Sequence, residues 1–251
     1  MSGSKPIAPE TTCPICKGGG FVRWDVPVGD PNFGRAFMCD CRRNEVQERH
    51  LDELIRRANV EPLQHLTFDT FDPSVPGVVD AFAAARSFVQ DTRGWLVLYG
   101  PFGAGKTHIA AAIAHALIQR RTRVFFQVVP ELLDHLRQSM SPTSEVRYDE
   151  LFEAVKSAEV LILDDLGEEN ETKWVQEKLF LIFNHRYNHR LPTVITTNRP
   201  PEAIDPRIWS RMFDRTLAVS VEVSASDYRA RPIRDRRGFV PRPPARPPTT
   251  A

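Results

Sequence analysis

Beyond residue 41 the sequence contains no cysteine, although the chain runs to 251 residues. That excludes a disulfide framework for most of its length and gathers the four cysteines into one local site. Long hydrophobic runs are lacking as well. No stretch approaches the roughly 20 apolar residues that span a bilayer, and Met1–Glu10 has neither the basic start nor the apolar run of a secretory signal. These absences predict a cytoplasmic chain with no membrane partner. In a reducing compartment, clustered thiols point to metal before disulfide. An excess of either charge is missing too, 33 basic against 32 acidic side chains, so overall charge argues neither for nucleic acid nor for a membrane surface.

What is present divides the chain into a Cys-containing module over 11–42, a helical connector over 43–66, an α/β core over 67–231 and a Pro/Arg-rich tail over 232–251. In the connector, Val46, Leu51, Leu54, Ile55 and Ala58 fall near one stripe at helical spacing. The expectation is an amphipathic helix that packs on its own protein or on a partner. Leu66–Pro73 reads as an extended entry, with Pro73 and the Pro76-Gly77 turn stopping any helix. In the core, apolar runs at Trp95–Tyr99, Val124–Val129, Val160–Leu163, Thr193–Thr197 and Leu217–Val223 alternate with helical segments. This rhythm predicts a mainly parallel five-stranded sheet covered by helices on both faces. From Arg229 onward, seven arginines, six prolines and no lysine cannot build a core, and they predict a disordered tail, either solvated or touching phosphate backbones.

Between the first core strand and the helix expected over Thr107–Arg120 lies Gly100-Pro101-Phe102-Gly103-Ala104-Gly105-Lys106-Thr107, followed by His108. Glycines let backbone N–H groups turn inward around an anion, and the positive end of the following helix faces the same point. Lys106 is expected on the β- and γ-phosphates and Thr107 on magnesium, which makes this a P-loop for ATP. Val160-Leu161-Ile162-Leu163-Asp164-Asp165 then reads as an apolar strand ending in two carboxylates. Asp164 is assigned to the magnesium shell and Asp165 to polarising the attacking water. A third strand ends at Asn198, an amide suited to orient that water or simply a turn residue. Asp205–Arg215 reads as a short helix begun at Pro206, whose arginines are candidates for a finger that stabilises transferring phosphate, or for surface ion pairs.

Cys13-Pro14-Ile15-Cys16 is a strong half-site, and Cys39-Asp40-Cys41 is a tighter second half. Four thiolates separated by a Gly-rich hairpin suit one structural zinc, with an iron–sulfur cluster or empty thiols as alternatives. His50 and His65 are spare ligands that the four-cysteine reading does not use. His185 and His189, four apart on a helix expected over Lys173–Arg190, read as solvated.

Together these motifs resemble the AAA+ ATPases of the DnaC/DnaI helicase-loader and IstB group over about residues 60–231. The carriers are Phe68-Asp69-Thr70-Phe71, Gly100 to Thr107, Leu161-Ile162-Leu163-Asp164-Asp165-Leu166-Gly167, Thr196-Thr197-Asn198, Ser210-Arg211-Met212 and Asp227-Tyr228-Arg229. The resemblance implies an AAA+ core with sensor 1 at Asn198, a finger acting in trans at Arg211 and a sensor 2 arginine at Arg229. It also implies self-association, with hydrolysis shared between subunits. By similarity to DnaI-type loaders, the zinc module is expected to contact the replicative helicase. In the segment where loaders touch single-stranded DNA this chain departs, since Pro130–Met140 carries Glu131 and Asp134 beside Arg137. The leading expectation is a helicase loader acting on single-stranded DNA and the runner-up an IstB-like transposition regulator, while a nucleotide-dependent switch that hardly hydrolyses is the alternative from a different class.

Overall fold

β-Branched and large apolar residues recur in five short runs, and each run forms a strand of one parallel sheet. The structure is a computed structural model that describes residues 13–43, 58–141, 147–169 and 172–228. Of the expectations above, connector residues 44–57, with His50, and the terminal stretch 229–251, with Arg229, lie outside the described residues. The chain forms two compact units, residues 1–53 and 54–251.

In the second unit, α1 (Val79–Asp91) leads to β3 (Trp95–Tyr99), α2 (Lys106–Gln119), β4 (Val124–Val128) and α3 (Val129–Gln138). Then follow α4 (Tyr148–Ser157), β5 (Val160–Leu166), α5 (Lys173–Asn188), β6 (Thr193–Thr197), α6 (Pro206–Met212) and β7 (Ala218–Glu222). The order across the sheet is β4-β5-β6-β3-β7, and every pairing is parallel. Helices α1 and α2 pack on one face, and α3 to α6 on the other. Alternation along the strands supplies both layers. Trp95, Val97, Leu161, Leu163 and Ile195 join the core beneath α3, α5 and α6, so their neighbours Leu96, Leu98, Ile162 and Val194, also fully buried, turn to the opposite face.

Two expectations need correction. The second carboxylate strand does not stop at Asp164 and Asp165 but runs on to Leu166, through a register shift against β6 between Leu163 and Leu166. And Leu66–Pro73 is turned, not extended. Thr70 Oγ1 donates to the His65 carbonyl at 2.7 Å, and the Thr67 N–H donates to Thr70 Oγ1 at 3.0 Å, so one hydroxyl folds the segment on itself. Elsewhere the start of α6 at Pro206 falls where expected, with Asp205 capping it by accepting from the Arg207 N–H.

The first unit carries β1 (Phe21–Arg23) and β2 (Ala36–Met38), an antiparallel ribbon in which Phe21 faces Met38. Among its described residues only Gly20 and Cys39 are buried, so burial alone supplies almost no stability. Among the described residues, no helix is long and apolar enough to cross a membrane.

Candidate functional site

The loop from Gly100 to Gly105 follows β3 and opens α2, as the glycine spacing requires. Gly100 adopts φ 138° beneath the Val223 carbonyl, which a β-carbon would strike, and Gly105 adopts φ 101° as the N-cap of α2. Lys106, the first residue of α2, is buried, and its Nζ donates to the carbonyls of Gly100 at 2.8 Å and Pro101 at 2.7 Å. The lysine charge is thereby held against the inside of the loop.

Beside the loop lies a cleft of about 790 Å³, within the range of small-molecule sites. Phe102, Gly103, Ala104, Gly105, Lys106, Thr107, His108 and Asp165 all line it. Its apolar part is walled by Leu66, Phe71, Val75 and Val78, with Ala225 and Tyr228 from the chain after β7. Donors of a loop and helix N-terminus beside an apolar wall suit a ligand that carries both an anionic part and a flat apolar part. His108 serves this wall. Its Nε2 lies 3.0 Å from the Thr67 carbonyl and 3.2 Å from Thr70 Oγ1, and its ring meets Phe71 edge-on at 5.0 Å. Burial holds its pKa below the usual imidazole value.

Asp164 sits behind this front row, 1% exposed. Burial pushes its carboxyl up to about 6, opposed by hydrogen bonds from Thr196 and Thr107 and by the Lys106 charge, and reinforced by Asp165. Thr107 therefore joins Asp164 to the mouth of α2, an oxygen pair suited to a hard divalent cation. Asp165 takes φ 57°, left-handed for a non-glycine residue, and its N–H donates to Thr196 Oγ1 at 2.9 Å.

Asn198 is not on the cleft wall. Its Oδ1 and Nδ2 are both buried without a partner among the described residues, an arrangement that leaves a whole amide unspent. Arg211 lies on α6 against α5, its guanidinium donating to the Arg207 carbonyl and to Asn184 Oδ1, over the rings of Phe180 and Tyr187. Its Nε is buried and has no partner among the described residues.

Two participants escaped sequence reasoning. Thr196 enters the sequence reading only as a strand residue and as part of the Thr196-Thr197-Asn198 resemblance, with no role of its own, yet it touches both carboxylate residues. Arg199 covers Gly167, donating to its carbonyl at 2.7 Å and pairing with Glu168 at 3.3 Å on the cleft rim. A β-carbon at Gly167 would meet the Arg199 side chain, which explains the glycine of the Asp-Asp-Leu-Gly ending.

In the first unit, the sulfurs of Cys13, Cys16, Cys39 and Cys41 all lie within 4.8 Å of one another, with Cys13–Cys39 at 3.9 Å and Cys16–Cys41 at 3.4 Å. Thiolates around a tetrahedral zinc, with bonds of about 2.3 Å, stand about 3.8 Å apart, so this donor set fits that metal. Backbone N–H groups of Cys16 and Ile15 stabilise the Cys13 thiolate and hold its pKa at about 6. Cys16 is lowered as well, first by Cys41, whereas Cys41 is pushed up to about 12, first by Cys16. Four thiols this close cannot all ionise without a cation among them. Among the described residues the cluster comprises the four cysteines and no histidine. His185 and His189 stack at 4.1 Å and join no cluster of three or more ligands among the described residues.

A parallel sheet in this order, with the phosphate loop at the end of β3 and paired carboxylates on β5, defines a nucleotide-binding protein of the P-loop AAA+ class. Residues 37–233 match the family described as IstB-like ATP binding protein, and the chain belongs to that family. It is similar to the replicative helicase loader DnaI of Bacillus subtilis, 29% identical over 175 residues, a match covering 67% of this chain and 55% of that protein. It is 26% identical over 171 residues to the replicative helicase loader DnaC of Escherichia coli K12, covering 66% and 69% of the two chains. An IS21 putative ATP-binding protein of Pseudomonas aeruginosa is 28% identical over 194 residues, covering 74% and 69%. Among solved structures, a DnaI crystal structure superposes with a TM-score of 0.52 at 28% identity, covering 65% of this chain and 92% of that one. The DnaC helicase loader shares the fold, with a TM-score of 0.56 at 24% identity over 64% and 99% of the chains.

Proposed function

We propose that the protein is a magnesium-dependent ATPase that places a ring-shaped replicative helicase on single-stranded DNA. The observation that carries the ATPase part is the convergence of Lys106, Thr107 and Asp165 on one cleft that also has an apolar wall. Lys106 and the N–H groups of residues 102–107 bind the phosphates, and Thr107 and Asp164 hold magnesium, which when bound neutralises phosphate charge. Asp165 polarises the water that attacks the γ-phosphate, giving ADP and phosphate, and Asn198 spends its unused amide on orienting that water. Arg229 completes the site at sensor 2. Arg211 acts on the nucleotide of a neighbouring subunit, which makes turnover report assembly. The Cys13, Cys16, Cys39 and Cys41 cluster holds zinc, and its module, 11–42, grips the helicase.

Support for the loader reading comes from the loaders DnaI and DnaC among the relatives and from the four-sulfur cluster. A second reading, an IstB-like regulator of transposition, is favoured by the family match and by the longer share of this chain aligned to the IS21 protein, 74% against 67% for DnaI.

The test is a pull-down of the replicative helicase from the same organism with ATP, ADP or no nucleotide, beside an ATPase assay. Nucleotide-sensitive capture of the helicase supports the loader. No capture in any state, with ATP-dependent oligomers on duplex DNA, makes the protein a transposition regulator instead. Absence of turnover in the wild type reduces it to a nucleotide-dependent switch.

A further inference from the structure

A regular strand sends successive side chains to opposite faces, so Asp164 and Asp165 could not both serve one site from an unbroken β5. The sheet solves this locally. Leu163 pairs with Ile195 and Leu166 with Thr197, so two residues of β5, Asp164 and Asp165, stand opposite one residue of β6, Thr196. That is a bulge, and bulges re-aim a side chain while taking backbone groups out of the ladder. Asp165 carries the distortion at φ 57°, in the left-handed region that non-glycine residues seldom occupy.

The cost of the bulge is met by one side chain. The Asp165 N–H donates to Thr196 Oγ1 at 2.9 Å, and Thr196 Oγ1 donates in turn to Asp164 Oδ1 at 2.6 Å. A hydroxyl has one proton. Committed to Asp164, it leaves only lone pairs toward Asp165, and this fixes the direction of both bonds. Thr196 is fully buried, so no water competes for either.

We infer that Thr196 is a positioning residue for the nucleotide site, a clamp that holds the β5 bulge open so that Asp164 stays beneath Thr107 while Asp165 faces the cleft. The inference rests on the ATPase reading above. Thr196 touches no nucleotide; it acts by setting where two carboxylates stand. Valine at this position keeps the shape and removes both hydrogen bonds, whereas serine keeps the hydroxyl.

The experiment compares wild type with Thr196→Val and Thr196→Ser in steady-state ATP hydrolysis and in the magnesium dependence of fluorescent ATP-analogue binding, after thermal unfolding has established that each is folded. In Thr196→Val, kcat is expected to fall about tenfold or more while KM for ATP moves less than about threefold, and the magnesium concentration for half-maximal nucleotide binding rises about tenfold. Thr196→Ser is expected to restore both. Val turnover and magnesium response equal to wild type overturn the inference, as does a serine variant as impaired as the valine one, since that result assigns packing and not the hydroxyl. Should Thr196→Val fail to fold, Thr196→Ala carries the same expectations. If the wild type itself shows no turnover, the ATPase reading fails, and Thr196 is judged on the magnesium response alone.

Discussion

The carboxylate of Asp227 fills the space that a β-carbon on Gly103 would need, and the next residue, Tyr228, donates its N–H to the Gly103 carbonyl at 3.0 Å. The chain after β7 is thus seated directly on the phosphate loop. Gly103→Ala must displace it and must also place a side chain at φ 71°. Nucleotide affinity is expected to drop about tenfold or more, a loss of about 1.4 kcal/mol, with a lower thermal midpoint. Gly29→Ala, at φ 107° but with nothing nearby, should leave nucleotide binding unchanged. Titration with a fluorescent ATP analogue decides, and an unaltered affinity in Gly103→Ala refutes the seating argument.

Asp164 gives a pH dependence with a definite sign. Its folded pKa is raised to about 6 from 3.8, so its contribution to stability is fully present below pH 3.8 and is lost as pH rises through about 6. Asp164→Asn cannot ionise. Without nucleotide it should be more stable than wild type at pH 7.5 by on the order of 1 to 3 kcal/mol, and the gap should close toward pH 4. Urea unfolding across this range measures it. A gap that stays constant with pH would show that the carboxyl is not titrating in this window.

Arg211 offers two separable effects. Loss of its bond to Asn184 and its stacking on Phe180 and Tyr187 should cost about 1 kcal/mol of stability in Arg211→Ala. If it also acts in trans, mixing Arg211→Ala with Lys106→Ala should recover part of the hydrolysis that neither shows alone. Complete failure to complement counts against the trans role and leaves only the stability effect.

The cysteine cluster should hold about one zinc per chain. Elemental analysis should find it, and Cys39→Ser, at the buried corner, should abolish it. Nucleotide binding should survive the loss, because the cleft is built wholly from the second unit. Removing the metal with a strong chelator is expected to eliminate helicase capture first. Capture that persists without metal would separate the cluster from partner binding.

Much of this was legible because local chemistry coincides with global role. Three glycines and a lysine between a strand and a helix admit few readings, and Pro206 after Asp205 starts α6 where the sequence says it should. The failures have a common cause. Asp164 and Asp165 read as a strand end because two carboxylates do not belong in a buried strand, and only the Thr196 hydroxyl, 31 positions along the chain from Asp165, allows β5 to continue. Likewise Leu66–Pro73 is turned by Thr70 and pinned by His108, a contact spanning 38 residues. Arg186 is an extreme case, fully buried and donating to the carbonyls of Lys156, Ala158 and Pro192 and to Thr193 Oγ1. Nothing in a helix sequence tells such an arginine from a solvated one.

The order β4-β5-β6-β3-β7 separates the two strands that carry the chemistry, and β6 alone stands between them. Phosphate loop and carboxylates therefore share a party wall, bonded to the loop through the Thr197 carbonyl and Gly100 N–H and to the carboxylates through Thr196. A substitution on either buried face of that wall, at Val194 or Ile195, would disturb both tenants at once while touching neither. Loss-of-function variants mapped in this protein would then be concentrated on a strand that never meets the nucleotide through its apolar half.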